Sequence, residues 1–374
     1  MKRKKIFILI PSLSVGGAER VLVNLLKKID VSRFDITLCL LAKCGVYFDE
    51  IPSEIRLKYV LKLNFMARCF TYLQLHIGIN FPIRWCMKLT VKECYDVGIS
   101  FSDGTLTDNI LFVANKFKKK IAWVHSCYIT QQLFTPARVR ELKYTRYNKL
   151  DHIVFVSKKS ELEFRELFGT AVEHSVIYNL FDNEAIKQKC KQSLDVKING
   201  DVVNIIAVGR MVAVKQYDKL IEAAHILAKR GVKFKMRLVG DGELREELQT
   251  QVKKMDLEKY VDFIGFKSNP YPYIKHSDIL VISSQSEAFP TVMIEAMSLE
   301  TAVVATKCTG CIEISDEGKY ALLTEKNAES IADGLEKIAI DDTLRHSLIE
   351  CSKRRVFDYD EQTSLNKIYQ LWEV

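Results

Sequence analysis

The stretch Ile6-Phe7-Ile8-Leu9-Ile10-Pro11-Ser12-Leu13-Ser14-Val15-Gly16-Gly17-Ala18-Glu19-Arg20 decides how the rest of the chain is read. It opens with an unbroken apolar run. A parallel strand buried on both faces requires such a run, because neither side can carry charge. From Ala18 the period changes, and Val21, Leu22, Leu25, Leu26 and Ile29 fall on one helical face. A buried strand feeding a helix is the first half of a βαβ unit. The glycines at 16 and 17 let the backbone approach a ligand closely. The loop lacks the G-x-G-x-x-G spacing of a dinucleotide fingerprint, and Gly240-Asp241-Gly242 lacks it too.

Outward from this unit the alternation continues. Ile36–Leu41, Val97–Phe101, Ile121–Val124 and Ile153–Val156 predict further strands. The rhythm pauses between Asn179 and Asp201, where Lys187, Lys189, Lys191 and Lys197 mark a polar linker with a connecting helix. It restarts with strands at Val203–Val208, Lys235–Val239, Val261–Ile264, Ile279–Ser283 and Ala302–Ala305. Helices are expected over Tyr217–Lys229 and Glu243–Met255, and another starts at Pro290. Phe357–Val374 reads as a separate helix that packs back onto the first domain. The expected fold is therefore two α/β domains in tandem, 1–180 and 202–356, joined by a linker at 181–201 and followed by the helix 357–374. Such domains place a ligand cleft between them, at the carboxyl ends of the strands.

Composition narrows the function classes. The chain has 374 residues, 48% hydrophobic and 27% charged, which excludes a disordered or low-complexity polymer and suits two cores rather than one. Ten scattered cysteines read as reduced thiols. Cys308-Thr309-Gly310-Cys311 has no second pair of ligands to complete a zinc site. The longest run free of Lys, Arg, Asp and Glu, Ile121–Ala137, contains His125, Gln131, Gln132 and Pro136 and is no membrane span. The N-terminal Lys2-Arg3-Lys4-Lys5 precedes an apolar run too short for a signal peptide. The net charge of +8 is unevenly placed: residues 1–200 hold 32 Lys and Arg against 19 Asp and Glu, and the remainder 23 against 28. A basic first half suits an anionic membrane surface. Nucleic acid is not expected, because no recognition motif accompanies the charge and the second half is acidic.

The chemistry concentrates in Ser286-Glu287-Ala288-Phe289-Pro290-Thr291-Val292-Met293-Ile294-Glu295-Ala296. Pro290 suits the first position of a helix, where its missing N–H costs nothing. The amides around Thr291 and Val292 then form an anion site, reinforced by the helix dipole. Glu287 and Glu295 flank that cradle, and carboxylates accept hydrogen bonds from vicinal hydroxyls. A nucleotide sugar offers ribose, phosphates and hexose in a row. Gly209-Arg210-Met211-Val212-Ala213-Val214-Lys215 follows the first strand of the second domain, and two cations there can both reach a diphosphate. His125 stands at the carboxyl end of the strand Ile121–Val124. Asp358 and Asp360 have the spacing of a metal-binding acid pair, but lie far along the chain from the cradle.

Together these residues resemble the retaining glycosyltransferases of family 4, over nearly the whole chain. The resemblance rests on Gly16-Gly17-Ala18-Glu19-Arg20, Trp123-Val124-His125, Ile177-Tyr178-Asn179, Gly209-Arg210 with Lys215, Val239-Gly240-Asp241-Gly242, Phe263-Ile264-Gly265, and the two glutamates 287 and 295. It implies the GT-B fold, two Rossmann-like α/β domains facing a central cleft. By that resemblance Glu287 binds hydroxyls of the donor hexose, and Glu295 holds the ribose. Arg210 and Lys215 neutralise the leaving diphosphate, helped by backbone amides near Phe289, Pro290 and Thr291. His125 contacts the donor sugar, and Gly16 and Gly17 shape the phosphate and acceptor side. Retention at the anomeric carbon is implied, with front-face attack and the leaving phosphate accepting the acceptor's proton. The family commonly has glycine where this chain has Ala288, a departure that bears on the loop geometry.

The expected function is thus transfer of a hexose or N-acetylhexosamine from a nucleotide sugar, UDP-linked by family habit, to a lipid-linked glycan in surface polysaccharide synthesis, such as capsule or O-antigen. No cofactor or metal is expected if Arg210 and Lys215 supply the positive charge. The expected location is the cytoplasm, peripheral on the inner face of the membrane. Lys116, Lys118, Lys119 and Lys120, with Phe65, Phe70, Tyr72 and Phe81, are the candidate membrane contacts. A sugar-nucleotide epimerase of similar architecture and a non-catalytic nucleotide-sugar-binding protein are the alternative readings.

Overall fold

The computed structural model describes residues 3–373, apart from 15, 62–64, 67–68, 71–72, 74–80, 129–145 and 199. The chain forms two units, Met1–Leu180 with Glu361–Val374, and Phe181–Asp360. The sheet of the first unit has seven strands: β1 (Lys4–Ile10), β2 (Phe34–Ala42), β3 (Arg56–Leu61), β4 (Tyr95–Ser100), β5 (Phe117–Val124), β6 (His152–Phe155) and β7 (His174–Val176). Their order is β3-β2-β1-β4-β5-β6-β7, parallel throughout. The second unit has six: β8 (Val203–Val208), β9 (Phe234–Val239), β10 (Val261–Gly265), β11 (Ile279–Ile282), β12 (Ala302–Thr306) and β13 (Leu322–Thr324). Their order is β10-β9-β8-β11-β12-β13, again all parallel. Each sheet winds outward from its first strand in both directions. The direction reverses between β1 and β4 and between β8 and β11. In open α/β sheets that reversal leaves a crevice beyond the carboxyl ends of the two strands, where ligands bind.

Burial explains why these segments pair. Ile6 through Ile10 are buried, with Ile6 beside Ile36 on one side and Val97 on the other. All five residues of β12 are buried. The helix Tyr217–Lys229 turns Leu220, Ile221, Ala224 and Leu227 into one cluster with Ile205, Met236 and Leu238 of the sheet. Burying each such side chain contributes about 1.5–3 kcal/mol, which is why the apolar spacing determines which face of the helix meets the sheet.

Three strands have no counterpart in the sequence reading: β3, β7 and β13. Each lies at a sheet edge, is only partly buried, and so lacks a continuous apolar run. Residues 181–201 are docked on the second unit. Asp182 caps the helix Asn183–Lys189 by accepting from the Ala185 amide (2.9 Å). Asn269 donates to the Lys189 carbonyl (2.9 Å) and Arg237 to the Lys197 carbonyl (3.1 Å). At the other end of the chain, the turn Val356–Tyr359 belongs to the second unit and the helix Glu361–Trp372 to the first.

The lysine cluster is not a free basic face. Lys116 donates to the Lys92 carbonyl, Lys118 to Asp96, and Lys119 to the Leu371 carbonyl, while Lys120 pairs with Asp151. Among the aromatic candidates, Phe70 packs on the apolar core, Phe65 and Phe81 are exposed, and Tyr72 lies outside the described residues. Of the run 121–137, residues 129–137 also lie outside them. Among the described residues no helix is long and apolar enough to cross a membrane.

Candidate functional site

The loops leaving β8 and β11 flank the reversal point of the second sheet, and they are tied together. Gln285 N–H donates to the Val214 carbonyl (2.8 Å) and Ser283 Oγ to the Lys215 carbonyl (2.7 Å). Thr306, at the end of β12, donates to the Ser284 carbonyl (2.6 Å). Across this frame Lys215 Nζ pairs with Glu287 Oε1, and Ser284 Oγ donates to the same oxygen (2.7 Å). Only 15% of the Glu287 side chain and 26% of the Lys215 side chain is exposed. Arg210 is exposed, and its side chain has no hydrogen-bond or ion-pair partner among the described residues. A fixed cation–carboxylate pair, with an exposed guanidinium in the same loop as its lysine, can receive a ligand carrying both hydroxyls and negative charge.

The helix Thr291–Ser298 starts beside this pair. Pro290 is its N-cap rather than its first helical residue, with φ −72° and ψ 97°. The extended ψ turns the chain into the helix, and Pro290 O accepts from Met293 N–H (3.0 Å). Thr291 and Val292 are thereby the first helical residues, whose amides lack intrahelical acceptors. Phe289 is buried, its ring edge-on to Tyr359 at 5.4 Å, so its side chain packs while its backbone borders the cradle. Glu295 lies one turn along and is partly buried. Ala288 is buried and does not have positive φ, so the turn accepts alanine where the resembling family has glycine.

Other residues hold this frame in place, and of these the sequence reading gives Gly310 and Gln216 no role. Gly310 N–H donates to the Glu287 carbonyl (2.7 Å), and a Cβ there would stand 2.6 Å from both Ala288 O and Pro290 Cδ. Gly240 has φ +144°, and its Cβ would fall 1.9 Å from Gly209 O, so Gly240-Asp241-Gly242 braces the β8 loop. Gln216, next to Lys215, sits in the left-handed region at φ +49°. Such strain in a non-glycine residue costs about 1–3 kcal/mol and concentrates at functional sites. Tyr217 is buried, and burial together with the Glu287 charge pushes its hydroxyl pKa up.

The first unit holds the other predicted residues. His125 follows β5, its ring 4.9 Å from that of Phe101. The residue is partly exposed, but its Nε2 is sealed from solvent and has no hydrogen-bond partner. Burial pulls its pKa down to about 3, so the imidazole is neutral. Asn179, beyond β7, likewise has a buried Oδ1 without a partner. Gly16 is the N-cap of the helix Gly17–Lys28, which follows β1. Neither Gly16 nor Gly17 has positive φ. A Cβ on Gly17 meets nothing within 4 Å, whereas one on Gly16 would stand 2.1 Å from the Glu19 carboxylate. Packing within the unit therefore does not require Gly17. Arg20 of the same motif pairs with Glu50 (2.8 Å) and stacks on Tyr47, a structural role.

Cys308 and Cys311 are buried thiols with their sulfurs 3.2 Å apart. The hydrogen bond from Cys308, with burial, pushes the Cys311 thiol pKa well up. Asp358 pairs with Arg355 (2.7 Å). Among the described residues no group of three or more His, Cys, Asp or Glu is placed to hold a metal ion.

Comparison with known proteins follows this geometry. Residues 190–355 match the family model described as Glycosyl transferases group 1. The N-acetylgalactosamine-N,N'-diacetylbacillosaminyl-diphospho-undecaprenol 4-alpha-N-acetylgalactosaminyltransferase of Campylobacter jejuni is 27% identical over 387 residues, covering 96% of each chain. The amylovoran biosynthesis glycosyltransferase AmsD of Erwinia amylovora is 23% identical, covering 97% of this chain and 98% of its own. The solved structure of Alr3699/HepE from Anabaena in complex with UDP and glucose aligns over 100% of both chains, with TM-score 0.78 and 21% identity.

Proposed function

We propose that this chain, a glycosyltransferase of GT-B fold whose residues 190–355 match the model described as Glycosyl transferases group 1, moves a hexose or N-acetylhexosamine from UDP to a lipid-linked glycan in surface polysaccharide synthesis. The observation that carries the donor side is the frame at the β8–β11 reversal point. It pairs Lys215 with Glu287 just ahead of the free amides of Thr291 and Val292, with Arg210 in the same loop after β8 as Lys215. Cations and free amides suit a diphosphate, and the carboxylate suits sugar hydroxyls. The acceptor side draws on the relatives: the Campylobacter enzyme is named for an undecaprenol diphosphate acceptor, and AmsD for amylovoran synthesis. UDP is the nucleotide to test first, because HepE was captured with UDP and glucose.

In this reading transfer proceeds with retention. The bond from the anomeric carbon to the diphosphate oxygen breaks, and the acceptor oxygen bonds to that carbon on the same face. The acceptor's hydroxyl proton passes to the leaving diphosphate. Arg210 and Lys215 meet the charge that develops on the leaving group, and fixed charges there need no reorganisation during the reaction. Lys215 has three N–H donors, so it can keep Glu287 and still donate to phosphate oxygen. Glu295 reaches toward the ribose, and His125 serves the donor sugar as a neutral imidazole. The charge on the diphosphate is met by side chains and amides, so the proposed reaction needs no divalent metal.

The test is thermal stabilisation of the purified chain by UDP, GDP, ADP and their sugars, with and without EDTA, followed by acceptor-dependent release of UDP. Stabilisation by UDP and one UDP-sugar, unchanged by EDTA, with UDP release only when acceptor is added, is the expected result. Interconversion of UDP-sugars without an acceptor indicates an epimerase. Donor binding without turnover indicates a binding protein. Either result overturns the reading.

A further inference from the structure

The helix Phe81–Thr90 in the first unit buries Ile83 and Met87 in the core, and large apolar residues of its other face are exposed. On that face Phe81 is 74% exposed, Trp85 55% and Leu89 51%. The three follow one another at four-residue spacing and form a single line along the helix. Exposed Lys88 falls beside the same line, three residues beyond Trp85, and exposed Lys92 follows just past the end of the helix. Arg84 and Lys88 both lie over the ring of Phe112, at 5.2 and 5.1 Å, which keeps their charges beside the stripe. Between Glu54 and Glu93 the sequence carries seven Lys and Arg and no Asp or Glu. Single exposed apolar residues need no explanation, but a line of three large ones at helical spacing does.

We propose that this face of the helix Phe81–Thr90 docks the protein on an anionic lipid bilayer. The docking surface rests on the reading of a lipid-linked acceptor given above and supplies the contact that such an acceptor requires. Phe81, Trp85 and Leu89 enter the boundary between headgroups and acyl chains, where an indole places its ring in the apolar layer and its N–H toward water. Lys88 and Lys92 meet anionic headgroups, while the acid-free stretch removes repulsion from them. The lysines 116, 118, 119 and 120 hold partners within the unit, so the proposal does not draw on them.

The chain contains three tryptophans, and Trp123 and Trp372 are buried, so the fluorescence of Trp85 reports the contact directly. The full chain is mixed with phosphatidylcholine vesicles with and without phosphatidylglycerol, and sedimentation is measured with the emission maximum. The expected result is binding to the anionic vesicles only, weaker at high salt, with a blue shift and protection of Trp85 from acrylamide. Trp85→Ser combined with Leu89→Ser lowers vesicle binding at least about tenfold at an unchanged melting temperature. If that double variant does not fold, Phe81→Ser, at the most exposed position of the line, takes its place. Lys88→Glu lowers binding and its salt dependence. Binding that ignores these substitutions, or no binding at all, overturns the proposal. So does a dimer of the parent chain that the double variant dissolves without any vesicle binding, since the stripe then joins two copies. Stabilisation by UDP is measured on the same samples. Retained UDP response without vesicle binding rejects the docking surface and leaves the transferase reading. Vesicle binding without UDP response does the reverse.

Discussion

Arg210 and Glu287 differ in how they are held, and that difference separates catalysis from stability. Arg210→Ala removes a side chain without a partner, so the melting temperature should stay where it was. Transfer should fall about 100-fold or more, as when one preorganised charge-stabilising donor is lost. Glu287→Gln breaks the contact with Lys215. Partly exposed pairs contribute only about 0–1 kcal/mol, so stability should change little while transfer again falls about 100-fold. Steady-state rates beside melting curves check both, and full activity in either variant removes these residues from the site. His125 gives a pH prediction. Its folded pKa, near 3, lies below the ordinary value of 6.5, so the unfolded chain binds the extra proton between those values. The stabilisation is complete above about pH 6.5 and is lost as pH falls toward 3. His152, pulled to about 4 by burial and the Lys119 charge, acts with the same sign. The melting temperature should therefore drop on acidification, and less steeply in His125→Asn. Equal slopes in the two proteins would remove His125 from the explanation. Arg210, Lys215 and Glu287 were legible in sequence because charged residues just beyond apolar strands must sit at a sheet's carboxyl edge. Ser284 and Gln216 were not. Their roles come from one hydrogen bond to Glu287 and one left-handed backbone angle, and neither changes hydrophobic pattern.

At the scale of elements, the turn before the helix Thr291–Ser298 depends on a glycine supplied by another helix, Thr309–Ile314. Gly310→Ala would press its Cβ against Ala288 O and Pro290 Cδ, both 2.6 Å away, and the turn before the helix Thr291–Ser298 would have to move. Overpacking of this kind costs about 1–3 kcal/mol. Because the displaced turn carries Glu287 and the first free amides, affinity for UDP should fall along with stability. Isothermal titration with UDP checks this, and unchanged affinity in a destabilised variant would confine Gly310 to packing. The pattern of legible elements has the same physical origin. The helix Tyr217–Lys229 matches its expected bounds, because its apolar face meets a sheet along its whole length. The strands β3, β7 and β13 have one neighbour each and a solvent-facing edge, so no continuous apolar run marks them. The capping turn at Pro290 was displaced by one residue, since proline serves an N-cap as readily as a first helical position when the preceding chain is extended.

At the scale of the whole molecule, the chain builds the first unit, then the second, and returns to complete the first with its last helix. The sequence reading expects a separate helix that packs back onto the first domain, and the contacts explain what the helix Glu361–Trp372 contributes. Trp372 is fully buried and edge-on to Phe34 of β2 at 5.4 Å. The Tyr369 hydroxyl accepts from the Asp30 amide (3.0 Å) and donates to the Lys28 carbonyl (3.3 Å), closing the end of the helix Gly17–Lys28. Lys28 pairs with Glu361 (3.0 Å), and Arg33 pairs with Glu373. The surface pairs add little, whereas truncating a buried tryptophan costs about 3–5 kcal/mol. Trp372→Ala should therefore destabilise the first unit. UDP contacts proposed for Arg210, Lys215 and Thr291 all belong to the second unit, so stabilisation by UDP should persist. Hydrogen exchange distinguishes the outcomes. Faster exchange in β1 and β2 with unchanged protection of β8 and β11 is the expected pattern. Equal loss in both sheets would mean that the two units unfold together, and that the returning helix holds more than the unit it completes.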